Sequence, residues 1–193
     1  MTAGAVAGLV LAAGAGRRFG GPKALALLDG ERLVDRAAAT LRAADCAPVV
    51  VVEGAASLGD VPGATTVHAQ RWRDGMGASL QAGLAALPDD AAACVVLLVD
   101  TPWLTSTAVR AVIADWHSAA PTAAAAIATY EGRRGHPVLL ARKIWPAVAH
   151  LATGDEGARA WLRAHPDQVH EVPCTGLADP RDVDVPTPGI TAP

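Results

Sequence analysis

The sequence predicts an α/β fold built as a single doubly wound, mostly parallel sheet, with residues 1–193 forming one domain. Three observations carry this. Short apolar runs bounded by turn residues recur at Val6–Leu11, Val49–Val52 and Cys94–Val99. They are continuous rather than alternating, as expected of parallel strands buried on both faces. Helical patterns fill the gaps between them, and a chain of 193 residues suits one well-buried core but not two ordinary ones.

The first run, Val6–Leu11, opens the fold. The surrounding stretch Ala3 to Ala15 is apolar like a secretion signal, yet no basic residue precedes it and Arg17-Arg18 follow it, so it is read as mature structure. A helix is expected over Leu33–Ala44, a strand over Val49–Val52, and a helix over Met76–Leu87 with Met76, Leu80, Leu84 and Leu87 on one face. The strand Cys94–Val99 and a helix at Thr105–Trp116 follow. Alternation of this kind puts ligands at the carboxyl ends of the strands. Beyond Pro121 the pattern loosens into strands at Ala123–Thr129 and Pro137–Ala141, a helix from Asp155 to Ala164 and a last strand near Val169–Val172. This half is expected to supply the side of a second substrate. The segment Asp179–Pro193 carries four prolines and reads as an extended, wrapping tail.

Composition removes several function classes. A net charge of −3 argues against holding nucleic acid by a general basic surface. Cys46, Cys94 and Cys174 are far apart and odd in number, so they form neither a metal knuckle nor a disulfide framework, and a reducing cytoplasm is expected. No run reaches the roughly 18 apolar residues of a spanning helix, so no membrane is expected. The six histidines form no HxH or HExxH cluster, which leaves zinc without support.

The stretch Leu11-Ala-Ala-Gly14-Ala-Gly16-Arg-Arg18-Phe-Gly20-Gly-Pro22-Lys23 directly follows the first strand. Its glycines let backbone amides approach a polyphosphate, and Arg18 and Lys23 supply positive charge. A Walker A loop is excluded because no Gly-Lys-Ser/Thr is present. A dinucleotide fingerprint is a rival, with Gly14, Gly16 and Gly20 in place and Glu53 as a ribose acid. That fingerprint opens straight into a helix, whereas here the loop runs on toward Leu33. A purely structural loop is the other alternative.

Asp100, in Leu97-Leu98-Val99-Asp100-Thr101-Pro102, ends a buried strand and suits Mg²⁺, which takes one or two carboxylates plus substrate phosphates. From position alone it is equally a turn or cap acid. Asp182-Val-Asp184-Val-Pro186 alone reads as a solvated turn, but paired with Asp100 it could hold one metal against an α-phosphate. In Gly75-Met76-Gly-Ala-Ser79-Leu80-Gln-Ala-Gly83-Leu84 the small residues permit close approach of a ligand or a neighbouring strand, and Ser79 could bond a base or ribose. His136, ahead of a proline, and Asp155 and Arg159 are candidates for a substrate-facing side, with a structural role the alternative for the histidine. No nucleophile and base can be assembled, so in-line attack by an acceptor phosphate on the α-phosphorus is expected, driven by positioning and charge neutralisation.

Together these motifs resemble the MobA-like nucleotidyltransferases, and within them the molybdenum cofactor cytidylyltransferases. The first loop is similar to the family's LAAGxSxRMGxPK, with Gly16 at the Ser and Phe19 at the Met; Gly75-Met76…Ser79, Asp100-Thr-Pro102, Gly135-His136-Pro137, Gly154-Asp155…Arg159 and Asp182-Val-Asp184 follow in the family's order. The resemblance implies a Rossmann-like nucleotidyltransferase fold. It implies that Leu11, Ala12, Ala13, Gly14, Gly16, Arg18, Lys23, Ser79 and Gly83 bind the nucleotide, with Lys23, Arg18 and Asp100 in the catalytic role. His136, Asp155 and Arg159 would meet the acceptor, and Asp100 and Asp184 would hold Mg²⁺. CTP would be the donor, a molybdopterin-type cofactor the acceptor, and a molybdenum hydroxylase the client. Ala13 and Pro22 stand where guanylyltransferases tend to carry Gly and Asp, which favours CTP over GTP. A guanylyltransferase, a transferase for another phosphorylated acceptor, and a non-catalytic cofactor-delivery protein are the alternatives.

Overall fold

The computed structural model describes residues 4–119, 123–185 and 189–191. In chain order the strands are β1 (Val6–Leu11), β2 (Leu27–Leu28), β3 (Glu31–Arg32), β4 (Val49–Glu53), β5 (Thr65–His68), β6 (Ala93–Leu98), β7 (Ala125–Tyr130), β8 (Arg133–Ala141), β9 (Val169–Pro173) and β10 (Ile190–Thr191). The helices are α1 (Leu33–Ala43), α2 (Met76–Ala86), α3 (Ser106–Ala119), α4 (Trp145–Leu151) and α5 (Arg159–Ala164).

Seven strands form the main sheet in the order β5-β4-β1-β6-β8-β7-β9, and β10-β2-β3 form a small second one. β5, β4, β1 and β6 run parallel, β8 runs against both β6 and β7, and β9 is parallel to β7. The chain moves outward from β1 through β4 to β5, then returns to place β6 on the other flank of β1. The order therefore reverses between β1 and β6, and such a switch point opens a crevice beyond the strand ends.

Alternation along β1 divides the core. Val6 and Val10 face the layer of α1 and α3, with Leu33, Leu41, Ala108 and Val112. Ala7, Leu9 and Leu11 face the layer of α2, α4 and α5, with Leu80, Leu84, Trp145 and Trp161. All six β1 residues are buried, which is why a continuous apolar run reads correctly as a strand covered on both sides.

The expected helix over Asp155–Ala164 is broken. A 3-10 turn at Gly154–Glu156 is followed by Gly157 at φ +54°, and only then does α5 begin; a left-handed residue ends regular helical bonding. β5, α4 and the two-residue strands add to the elements expected. Between the pairs Ile127–Val138 and Ala128–Gly135, β8 carries two extra residues, His136 and Pro137. Proline cannot donate to the ladder, so a bulge accommodates it and re-aims its neighbour. Among the contacts that hold the tail, the Val183 amide donates to the Asp100 carbonyl at 2.8 Å, and β10 pairs with β2. Pro121 and Pro186 lie outside the described residues. Among the described residues no helix is long and apolar enough to cross a membrane.

Candidate functional site

A cleft of about 460 Å³ lies at the switch point between β1 and β6. Its first wall is the loop after β1. Gly16 sits at φ +58°, and a Cβ there would lie 1.8 Å from the Gly21 carbonyl oxygen, so only glycine permits the turn. The amides of Phe19, Gly20 and Gly21 turn back on the Gly16 carbonyl at 2.9, 3.0 and 3.2 Å. The amides of residues 14–18 have no backbone acceptor among the described residues. Unpaired N–H groups and two arginines along one wall of the cleft are of the kind that receives an anion.

This wall ends in a charge cluster. Lys23 Nζ donates to Asp100 Oδ2 at 3.0 Å and to Asp184 Oδ1 at 2.9 Å, and Arg18 pairs with both oxygens of Asp184 at 3.1 and 3.2 Å. Burial alone would lower the Lys23 ammonium, but the hydrogen bonds and charges of Asp184 and Asp100 outweigh it and its pKa stands above the ordinary lysine value. The hydrogen bond and charge of Lys23, with a smaller contribution from Arg18, hold Asp184 below the usual carboxylate range. The second oxygen of Asp100 is buried without a hydrogen-bond partner. Such an orphan is costly unless another ligand completes it. Hard carboxylate oxygens with one acceptor left open fit a magnesium-type cation. Among the described residues no third His, Cys, Asp or Glu joins them, as expected where substrate phosphates fill the remaining positions.

The second wall is the start of α2. Gly75 precedes it at φ +104°, with the Gly154 carbonyl so close that a Cβ would lie 2.5 Å away. Asp155 Oδ1 accepts from the Met76 amide at 3.3 Å, so this residue, expected on the acceptor side, caps the helix and lines the cleft. Ser79 is buried and also lines the cleft. Gly83 faces the sheet: a Cβ there would meet Leu9 Cδ1 at 2.6 Å and Val52 Cγ2 at 2.9 Å, so it sits in helix–sheet packing and does not line the cleft. Leu11, Ala13, Gly14 and Gly16 line the cleft, whereas Ala12 is turned away, its amide tying β1 to the Val52 carbonyl at 2.9 Å.

His136 and Arg159 line an adjoining cavity of about 270 Å³ that shares Leu11, Met76 and Leu98 with the cleft. Burial and then the Arg159 guanidinium push His136 down to about 4, so the imidazole is neutral at pH 7. The Tyr130 hydroxyl donates to the His136 carbonyl at 2.9 Å. Sequence reasoning missed Trp72 and Arg73, which also line the cleft; a tryptophan between two arginines just before α2 was the available signal. It also left Glu53 open as a ribose acid. That carboxylate accepts from the Leu58 amide at 2.8 Å and faces His68 at 3.8 Å, and α1 begins only at Leu33, far past the glycines.

Against known proteins, a model of the MobA-like NTP transferase domain matches residues 8–169. The nicotine blue oxidoreductase of Paenarthrobacter nicotinovorans is 37% identical over 194 residues, covering 93% of this chain and 92% of its own. Among solved structures, Rv0371c from Mycobacterium tuberculosis H37Rv superposes with a TM-score of 0.77 at 26% identity over 95% of each chain. Its homolog from Mycobacterium sp. strain JC1 gives 0.77 at 28%, over 93% of this chain and 90% of that one.

Proposed function

Because the chain belongs to the MobA-like NTP transferase family, we propose that it is a Mg²⁺-dependent nucleotidyltransferase that moves CMP from CTP to the phosphate of a molybdopterin-type cofactor and releases pyrophosphate. The observation that carries this reading is the cluster at the mouth of the glycine loop: one lysine bonded to two carboxylates from distant parts of the chain, with an acceptor of Asp100 left open. CTP is favoured by the residues Ala13 and Pro22, and three buried free thiols suit a reducing cytoplasm.

In this mechanism the open amides of residues 14–18 receive the triphosphate, and Arg18 and Lys23 neutralise charge that grows as pyrophosphate departs. Asp100 and Asp184 would hold the metal, which supplies charge neutralisation at the α-phosphate. Ser79 and the start of α2 orient the nucleoside. The acceptor occupies the adjoining cavity beside Arg159 and neutral His136, so that its phosphate reaches the cleft across Leu11 and Met76. That phosphate is already ionised at neutral pH, and positioning it in line replaces any need for a protein base.

A second reading is favoured by one finding, that the 37% identical relative is named an oxidoreductase. On that reading the glycine loop holds a nicotinamide dinucleotide. The local engagement of Glu53 and the late start of α1 weigh against it. A thermal-shift panel of CTP, GTP, ATP and NADPH with and without Mg²⁺ separates the two, since a ligand of the native state raises its stability. The expected result is a Mg²⁺-dependent rise with CTP above GTP; stabilisation by NADPH alone would replace the transferase reading.

A further inference from the structure

We infer that the Lys23 ammonium and the divalent cation share one seat between Asp100 and Asp184, the lysine holding it until a triphosphate draws the lysine away. The inference rests on the reading that these two carboxylates hold the metal. Lys23 Nζ is within hydrogen-bond distance of one oxygen of each, at 3.0 and 2.9 Å. A magnesium ion would bind those oxygens at about 2.0–2.1 Å, and two cations cannot stand against the same pair of atoms without strong repulsion. Occupation is therefore exclusive.

The lysine is built to leave. It projects on a flexible four-carbon stem from a 3-10 turn, Lys23–Leu25, rather than from a strand or long helix. It satisfies only one oxygen of Asp100 and leaves the other without a partner, so a metal that replaces it in the seat can also engage the oxygen the lysine never used. The alternative destination lies in the same cleft, where the amides of residues 14–18 and Arg18 would hold phosphate oxygens. When the triphosphate pulls Lys23 toward itself, Asp100 loses its cationic partner beside Asp184, which keeps only Arg18, and the metal seat opens. Metal and triphosphate then bind cooperatively, each raising the affinity of the other by the same factor.

Two measurements test this without turnover. Mn²⁺ binding, followed by electron paramagnetic resonance in the absence of nucleotide, is expected to be about tenfold tighter in Lys23→Met than in the native chain, the effect of removing a partly buried competing ion pair. Equal or weaker binding by the variant overturns the shared seat and leaves the metal reading standing. Failure of both proteins to bind Mn²⁺ overturns the shared seat, and the same failure with CTP present overturns the metal reading as well. The second measurement uses the native chain and so does not depend on the variant folding. Lys23 and Lys143 are its only lysines, so acetylation by acetic anhydride, read peptide by peptide, has an internal reference. Saturating Mg²⁺ is expected to raise the Lys23 rate severalfold relative to Lys143; an unchanged ratio overturns the inference.

Discussion

The proposed chemistry converges on Asp100, which holds Lys23 with one oxygen and keeps the other buried and open. Replacing it with Asn keeps the shape and removes the charge, and Mg²⁺-dependent pyrophosphate release is expected to fall by about 10²–10³-fold with the circular dichroism unchanged. His136 yields a prediction in pH. Its folded value of about 4 lies below the ordinary 6.5, so as pH falls the unfolded chain takes up a proton that the folded chain refuses. Stability is full above about 6.5 and declines toward 4, by up to about 1.4 kcal/mol per pH unit. Melting curves across that range should show the decline in the native chain and a flatter profile in His136→Gln. At this scale the sequence was legible where chemistry and position coincide: Asp100 ends an apolar run and Lys23 ends a glycine loop. Asp184 alone read as a solvated turn and gained weight only when paired with Asp100, because nothing local says that a carboxylate 161 residues away will meet that lysine.

Among the elements, α2 is positioned by residues that have no side chain to show. Gly83 lets the helix settle against Leu9 and Val52, and an added methyl there is expected to cost about 1–3 kcal/mol, seen as a lower urea midpoint for Gly83→Ala. The same variant should keep its CTP affinity, since Gly83 is turned from the cleft. The periodicity of α2 was plain in the sequence, but a small residue on its inner face looks alike whether it admits a ligand or a strand. β5 was missed for a related reason. Thr-Thr-Val-His at the sheet edge is partly exposed and polar, so it lacks the continuous apolar run that marked β1, β4 and β6. The helix expected from Asp155 failed at Gly157, whose left-handed backbone separates the cap of α2 from the start of α5.

For the molecule as a whole, the site is closed by topology. The β1 loop, the end of β6, the start of α2 and the tail converge because the strand order reverses between β1 and β6. A chain stopped before Asp182 is expected to retain the far-UV circular dichroism of the seven-stranded sheet and to lose the Mg²⁺-dependent stabilisation by CTP. Retained stabilisation in that shortened chain would remove Asp184 from the site. The hydrogen bond from the Val183 amide to the Asp100 carbonyl has a meaning for biosynthesis as well. Ribosomes deliver the N-terminal part first, so the glycine loop, Lys23 and Asp100 exist while Asp184 is still untranslated. On the proposed reading a nascent or prematurely terminated polypeptide that carries the whole sheet is expected to be silent, and so is a finished one clipped just before the tail's anchor.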